Sequence, residues 1–173
     1  MATLWGGLTV MGSTVAAAVV ALAGCGFQLR GAQTLPIDTL FLALPVNSAL
    51  GAEITRVVRS STNAVVVTDR KQAQAIFELL GESREREVLS INAQGRAREY
   101  QLRLLSTFRV VDPSGVELIA PTTLTARRDI AFNESELLAK ESEEALLYRD
   151  MQSDLVRQMV TRLQGIRFDA PPG

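Results

Sequence analysis

The sequence predicts an α/β fold: two helices and a sheet built from a strand-helix-strand opening and long antiparallel hairpins. Three observations carry this. An apolar strand, an amphipathic helix and a β-branched strand follow one another between Ile37 and Thr68. A strictly alternating stretch, Tyr100 to Val110, then lies between two turns, Asn92-Ala93-Gln94-Gly95 and Asp112-Pro113-Ser114-Gly115. Finally Leu147, Met151, Leu155, Met159 and Leu163 recur every fourth residue, the signature of one helical face.

Ahead of these elements lies an uncharged apolar run, Met1 to Gly24, that closes on Leu22-Ala23-Gly24-Cys25. Small residues at Ala23 and Gly24 let a signal peptidase reach the bond before Cys25, and the thiol is the nucleophile that accepts a diacylglycerol. Residues 1–24 therefore read as a lipoprotein signal peptide and Cys25 as the lipidated first residue of the mature chain. Other readings are a buried thiol packing like a small hydrophobe, a catalytic cysteine, or a retained membrane helix. A catalytic cysteine wants a histidine to take its proton, and the chain has none. A spanning helix needs about 20 apolar residues, whereas Leu8 to Ala23 is broken by Gly12, Ser13 and Thr14. Gly26, rather than Asp, follows the cysteine, which is compatible with sorting to the outer membrane.

The rest is long enough for one core. Hydrophobic residues make up 47% and charged residues 21%, a globular balance. The 18 basic and 19 acidic side chains nearly cancel, which argues against a nucleic-acid partner held by bulk charge. Lys71 and Lys140 are the only lysines among the basic residues. A single cysteine forms no internal disulfide, and the lack of histidine or a cysteine cluster argues against a zinc site, so no cofactor is expected.

Residues 25–36 read as a tether, with Phe27 and Leu29 alternating against Gln28 and Arg30. The domain then spans 37–166. Ile37 to Leu44 is the first strand, stopped by Pro45. Ser48 stands in N-cap position before a helix over 49–60, whose Leu50, Ile54, Val57 and Val58 face the core while Glu53, Arg56 and Arg59 point elsewhere. Ala64 to Thr68 completes a βαβ-like start. Residues 75–91 read as one long strand whose charged half, Glu82-Ser83-Arg84-Glu85-Arg86-Glu87, projects into solvent or toward a partner, with a helix as the weaker alternative. The return strand puts Tyr100, Leu102, Leu104, Ser106, Phe108 and Val110 on one face and Gln101, Arg103, Leu105, Thr107 and Arg109 on the other. After the Asp112 to Gly115 turn, Val116 to Phe132 pairs back as a hairpin, and Pro121 inside it marks an edge or a bulge. The closing helix begins around Leu137 and Leu138, ends at Gly165, and leaves 167–173 as a loose tail. Its apolar stripe reads as core packing rather than a membrane-surface face.

These parts together resemble the LptE family, the lipopolysaccharide (LPS)-assembly lipoproteins of Gram-negative outer membranes. The likeness rests on Cys25-Gly26-Phe27-Gln28-Leu29-Arg30-Gly31, Ala97-Arg98-Glu99-Tyr100-Gln101-Leu102, the Asp112 to Gly115 turn, Leu138-Ala139-Lys140-Glu141-Ser142-Glu143-Glu144 and Asp150 to Val156 running into Arg162-Leu163. The resemblance implies two helices packed on a mixed β-sheet with long antiparallel hairpins. It also implies a periplasmic-side, lipid-anchored plug inside the β-barrel LptD that helps assemble the barrel and binds LPS, with no bond made or broken. Lys140, just ahead of the last helix, matches a basic position the family uses toward LPS. A second such position falls on Ala93, so Arg96 and Arg98 stand as its substitutes.

Two other classes remain. The chain could be an accessory lipoprotein of another outer-membrane assembly machine or a periplasmic lipid carrier, which would need an enclosed apolar cavity. A hydrolase finds no Gly-x-Ser-x-Gly, no histidine base and no Ser-x-x-Lys.

Overall fold

A computed structural model describes residues 34–132 and 137–168. The leader, Cys25, Phe27 and Leu29, and the tail from Asp169 lie outside the described residues. The chain forms β1 (Thr39–Ala43), α1 (Ala49–Ser61), β2 (Val65–Val67), β3 (Ala75–Ile91), β4 (Ala97–Val111), β5 (Glu117–Ala131) and α2 (Leu137–Gln164).

The sheet order is β2-β1-β3-β4-β5. Strand β1 lies parallel to both β2 and β3, and β3, β4 and β5 form an antiparallel meander, so the sheet is mixed. The segment from Val67 to Ala75 passes the start of β1, where Gln74 N–H donates to the Thr39 carbonyl at 3.1 Å and Asp38 N–H to Gln74 Oε1 at 2.7 Å.

Helix α1 starts where Ser48 Oγ accepts from Gly51 N–H at 2.9 Å, satisfying one of the donors a helix start leaves open. Leu50, Ile54 and Val58 are buried, as their spacing requires. Glu53 does not simply face solvent. Its carboxylate accepts from Gln152 Nε2 at 2.9 Å and Ser153 Oγ at 2.6 Å, tying α1 to α2.

Both helices contribute to one core on one face of the sheet. Met151, Leu155, Val156, Met159, Val160 and Leu163 of α2 pack there with Leu102, Leu104, Phe108 and Val110 of β4 and Leu124 and Ala126 of β5. Leu35 is buried in the same cluster, so the core takes in a residue the sequence reading assigns to the tether. On the opposite face a small cluster of Ala73, Ile76 and Val111 packs with Phe41 and Val67. The rest of that face is mainly polar, with Thr107 and Thr123 hydroxyls 2.8 Å apart and Arg103 reaching Glu85 at 3.6 Å, and Leu105 between them.

Two of the five register shifts in the meander border Phe108. Between Phe108↔Thr122 and Val110↔Ile119, β5 carries one extra residue at Ala120-Pro121. Proline sits there at no cost to the ladder, because β5 is an edge strand and the bulge removes the pairing. The other lies between Leu79↔Phe108 and Gly81↔Thr107, where Leu80 is the extra residue. Side chains alternate faces along a strand, so one extra residue switches them. Phe77 and Leu79 face the helices before the bulge; Glu82, Arg84, Arg86 and Val88 do so after it, opposite Ser106, Leu104, Leu102 and Tyr100. The charged half of β3 is thus paired along β4 and does not project alone.

Glu78 holds the corner where β1 leaves β3. Arg109 Nε donates to it at 2.6 Å and Arg70 at 2.8 Å. The Arg109 hydrogen bond, partly opposed by burial and aided by Arg70, holds its carboxyl below the ordinary value of 4.5. A depressed carboxyl pKa adds stability that is full above 4.5 and disappears as the pH falls through the folded-state value. Glu78→Gln should cost about 1 kcal/mol at neutral pH and flatten the loss of stability on acidification below pH 4.5, read by denaturant unfolding across pH; an unchanged acid limb would contradict this role. Leu155→Ala, at a position fully buried in the core, should cost about 2–5 kcal/mol in the same assay.

Candidate functional site

The β3–β4 hairpin closes on a turn fixed by one side chain. Asn92 Oδ1 accepts from Gln94 N–H at 3.0 Å and from Arg96 N–H at 2.9 Å, while Gly95 N–H donates to the Asn92 carbonyl at 2.9 Å. Gly95 takes φ +76°, a conformation glycine adopts without the steric penalty of a Cβ. This turn sends Arg96 and Arg98 back along β4 at the hairpin tip.

Next to the tip, the first turn of α2 brings Lys140. The helix begins at Leu137, where its pattern predicts, so the lysine is inside it rather than just ahead of it, a correction to the placement drawn from the family resemblance. Phe132, at the end of β5, donates its N–H to the Arg98 carbonyl at 2.7 Å and packs edge-on to Tyr100, with centroids 5.4 Å apart. The Arg86 guanidinium lies 4.5 Å from the Tyr100 ring centroid on the helix-facing side of the sheet.

These elements enclose an open cavity of about 860 Å³. Arg96, Arg98 and Lys140 all line it, with Glu99, Ile91 and Phe132 also in its wall. The three basic residues singled out from sequence, though split between a hairpin and a helix, therefore share one pocket. Glu99 accepts from Ser90 Oγ at 2.9 Å. Lys140 Nζ lies 2.8 Å from Glu143, one turn further along α2. An ammonium has three donors, so this pair leaves two for a ligand.

The placement of Lys140 is itself informative. The first turn Leu137–Lys140 carries no acidic side chain, and the start of a helix is its positive end, where a cation is disfavoured by about 0.3–1 kcal/mol. The cost concentrates positive potential in the pocket. Such an arrangement suits a phosphate or carboxylate, and among the described residues it holds no metal-ligand cluster. Sequence reasoning missed Phe132 in the wall, which packs on Tyr100 behind it; its place becomes legible only once β4 and β5 are registered.

Fold and pocket together define a two-layer α/β domain with a cationic recess at one end of its meander. Residues 37–163 match the family model described as "LptE: Lipopolysaccharide-assembly". Among curated relatives, the "LPS-assembly lipoprotein LptE" of Pectobacterium atrosepticum is 32% identical over 150 residues, covering 84% of this chain and 80% of that protein. The protein of the same name from Yersinia enterocolitica is 32% identical, covering 84% and 71%. The solution structure of a lipoprotein B from Nitrosomonas europaea superposes with a TM-score of 0.68 at 33% identity, covering 80% of this chain and 88% of that one. The rare lipoprotein B of Shewanella oneidensis shares the fold at TM-score 0.63 and 23% identity, covering 74% and 95%. This chain belongs to the LptE family of lipopolysaccharide-assembly proteins. Among its described residues no helix is long and apolar enough to cross a membrane.

Because Lys140 gains an ion pair with Glu143 but sits at the wrong helix end for a cation, the two effects should nearly cancel. Lys140→Gln is expected to shift unfolding free energy by no more than about 0.5 kcal/mol, measured by chemical denaturation; a loss of several times that would make the lysine a structural residue.

Proposed function

We propose that this chain is an outer-membrane lipoprotein, anchored through Cys25 on the periplasmic side, that plugs and helps assemble the LptD β-barrel and binds LPS during its insertion into the outer leaflet. The convergence of Arg96, Arg98 and Lys140 on one cavity is the observation that carries the LPS part. LPS bears phosphates on lipid A and core, and guanidinium and ammonium groups pair with phosphate through charge-assisted hydrogen bonds. The exposed Ile91 beside the pocket offers apolar contact to the same amphiphile.

The open face of the sheet supports the plug. Glu85, Arg103 and Arg127 stand opposite one another across β3, β4 and β5, as do Glu87, Gln101 and Asp129, with Gln101 Nε2 donating to Asp129 at 3.1 Å. A surface of interlocked charges and amides matches a hydrated barrel lumen, which is polar, and neither α1 nor α2 covers it.

The full-length protein carrying Arg98→Glu and Lys140→Glu should bind purified LPS about tenfold more weakly or worse while keeping its circular-dichroism spectrum. Unchanged affinity would remove the pocket from the proposal. Separately, affinity purification of the lipidated protein in mild detergent should recover a large β-barrel partner in equal amount, and Cys25→Ala should leave an unprocessed or soluble precursor. Recovery of the protein alone would overturn the plug; normal maturation of the Cys25 variant would overturn the anchor.

A further inference from the structure

A second basic recess lies on the helix-covered side of the domain, between the N-terminal half of α1 and the middle of α2. Its volume is about 560 Å³, and it is bordered by Arg56 of α1, Arg84 of β3 and Arg149 of α2. Its remaining wall includes the small side chains Ala49, Ala52 and Ala145.

The charge in this groove is only partly neutralised from within. Its acidic lining residue, Glu53, is committed to Gln152, Ser153 and, at 3.7 Å, Arg56. Among the described residues, no carboxylate lies within ion-pairing distance of Arg84 or Arg149. Arg84 instead lies 4.9 Å from the centroid of the Tyr148 ring, and the Tyr148 hydroxyl donates to the Glu85 carbonyl at 3.1 Å. Stacking on a ring fixes the guanidinium plane and leaves its N–H edges open to an acceptor. The bulge at Leu80 is what turns Arg84 to this side, since without the extra residue the side chain would face the polar side of the sheet.

We propose that this groove docks an acidic segment of a partner polypeptide. Its three cations sit on three separate elements around an open trough. Such an arrangement suits carboxylates spaced along a chain, whereas a single phosphate wants donors converging on one point. The alanine methyls let a peptide backbone approach closely. The site is separate from the pocket of Arg96, Arg98 and Lys140 and does not depend on that pocket's ligand.

The test uses the full chain in mild detergent and a fluorescein-labelled peptide of alternating Glu and Ala, with its Gln and Ala counterpart as the neutral control, followed by anisotropy. The acidic peptide should bind and the neutral one should not, and affinity should fall with added salt. Arg84→Gln with Arg149→Gln should weaken binding about tenfold. Arg149→Gln alone, at an exposed helix position that tests the site if the double variant fails to fold, should weaken it about threefold. Arg96→Gln with Arg98→Gln should leave peptide affinity unchanged. Equal affinity of the groove variants and the parent protein, a loss confined to the Arg96 and Arg98 variant, or full displacement by millimolar inorganic phosphate would each overturn the proposal, the last by making the groove a simple phosphate site.

Discussion

The architecture depends on covering one apolar face of a long meander with a single layer of helices. Strands β4 and β5 each run 15 residues, about 50 Å at the usual rise, and α2 runs 28 residues, about 42 Å. A shorter closing helix would leave Leu102 or Ile130 uncovered, and burial of such side chains is the main favourable term in folding. The near match in length has a functional side. The first turn of α2 falls beside the tip of the β3–β4 hairpin, so a lysine on the helix and two arginines on the hairpin become neighbours.

The Leu80 bulge sets which side of β3 bears which charge. Upstream of it the strand is part of an ordinary core, with Phe77 stacked on Phe108 at 5.2 Å between centroids. Downstream, arginines face the helix layer and find tyrosine rings, while Glu85 and Glu87 meet Arg103 on the polar face. One added residue converts a simple alternation of charge into two chemically different surfaces.

Much of this was legible in the sequence. The alternation in β4 assigned its buried and polar faces, because period-two patterning is a direct imprint of the pleat, and the four-residue stripe located the core face of α2. Pro121 announced an edge or a bulge, and β5 has both. What stayed hidden was whatever depends on which elements meet in space. The position of β1 between β2 and β3 leaves no local mark, and the pairing of Glu53 with Gln152 and Ser153 joins residues far apart in the chain. The face switch at Leu80 was not read either, although Gly81 and the change from apolar to charged residues stand beside it. The basic residues of the pocket were named through family resemblance, and their convergence emerged from the hairpin register and the start of α2.

The sheet also ends without offering a template for growth. On one side its last strand, β2, is three residues long; on the other, β5 is interrupted by proline and a bulge. The part of β3 that β1 leaves uncovered directs charged side chains toward the helices, a device that discourages a neighbouring strand from adding on. Copies crowded together on a surface, in two dimensions and at high local density, would therefore find no register along which to zip into fibres. Association is then left to side-chain complementarity.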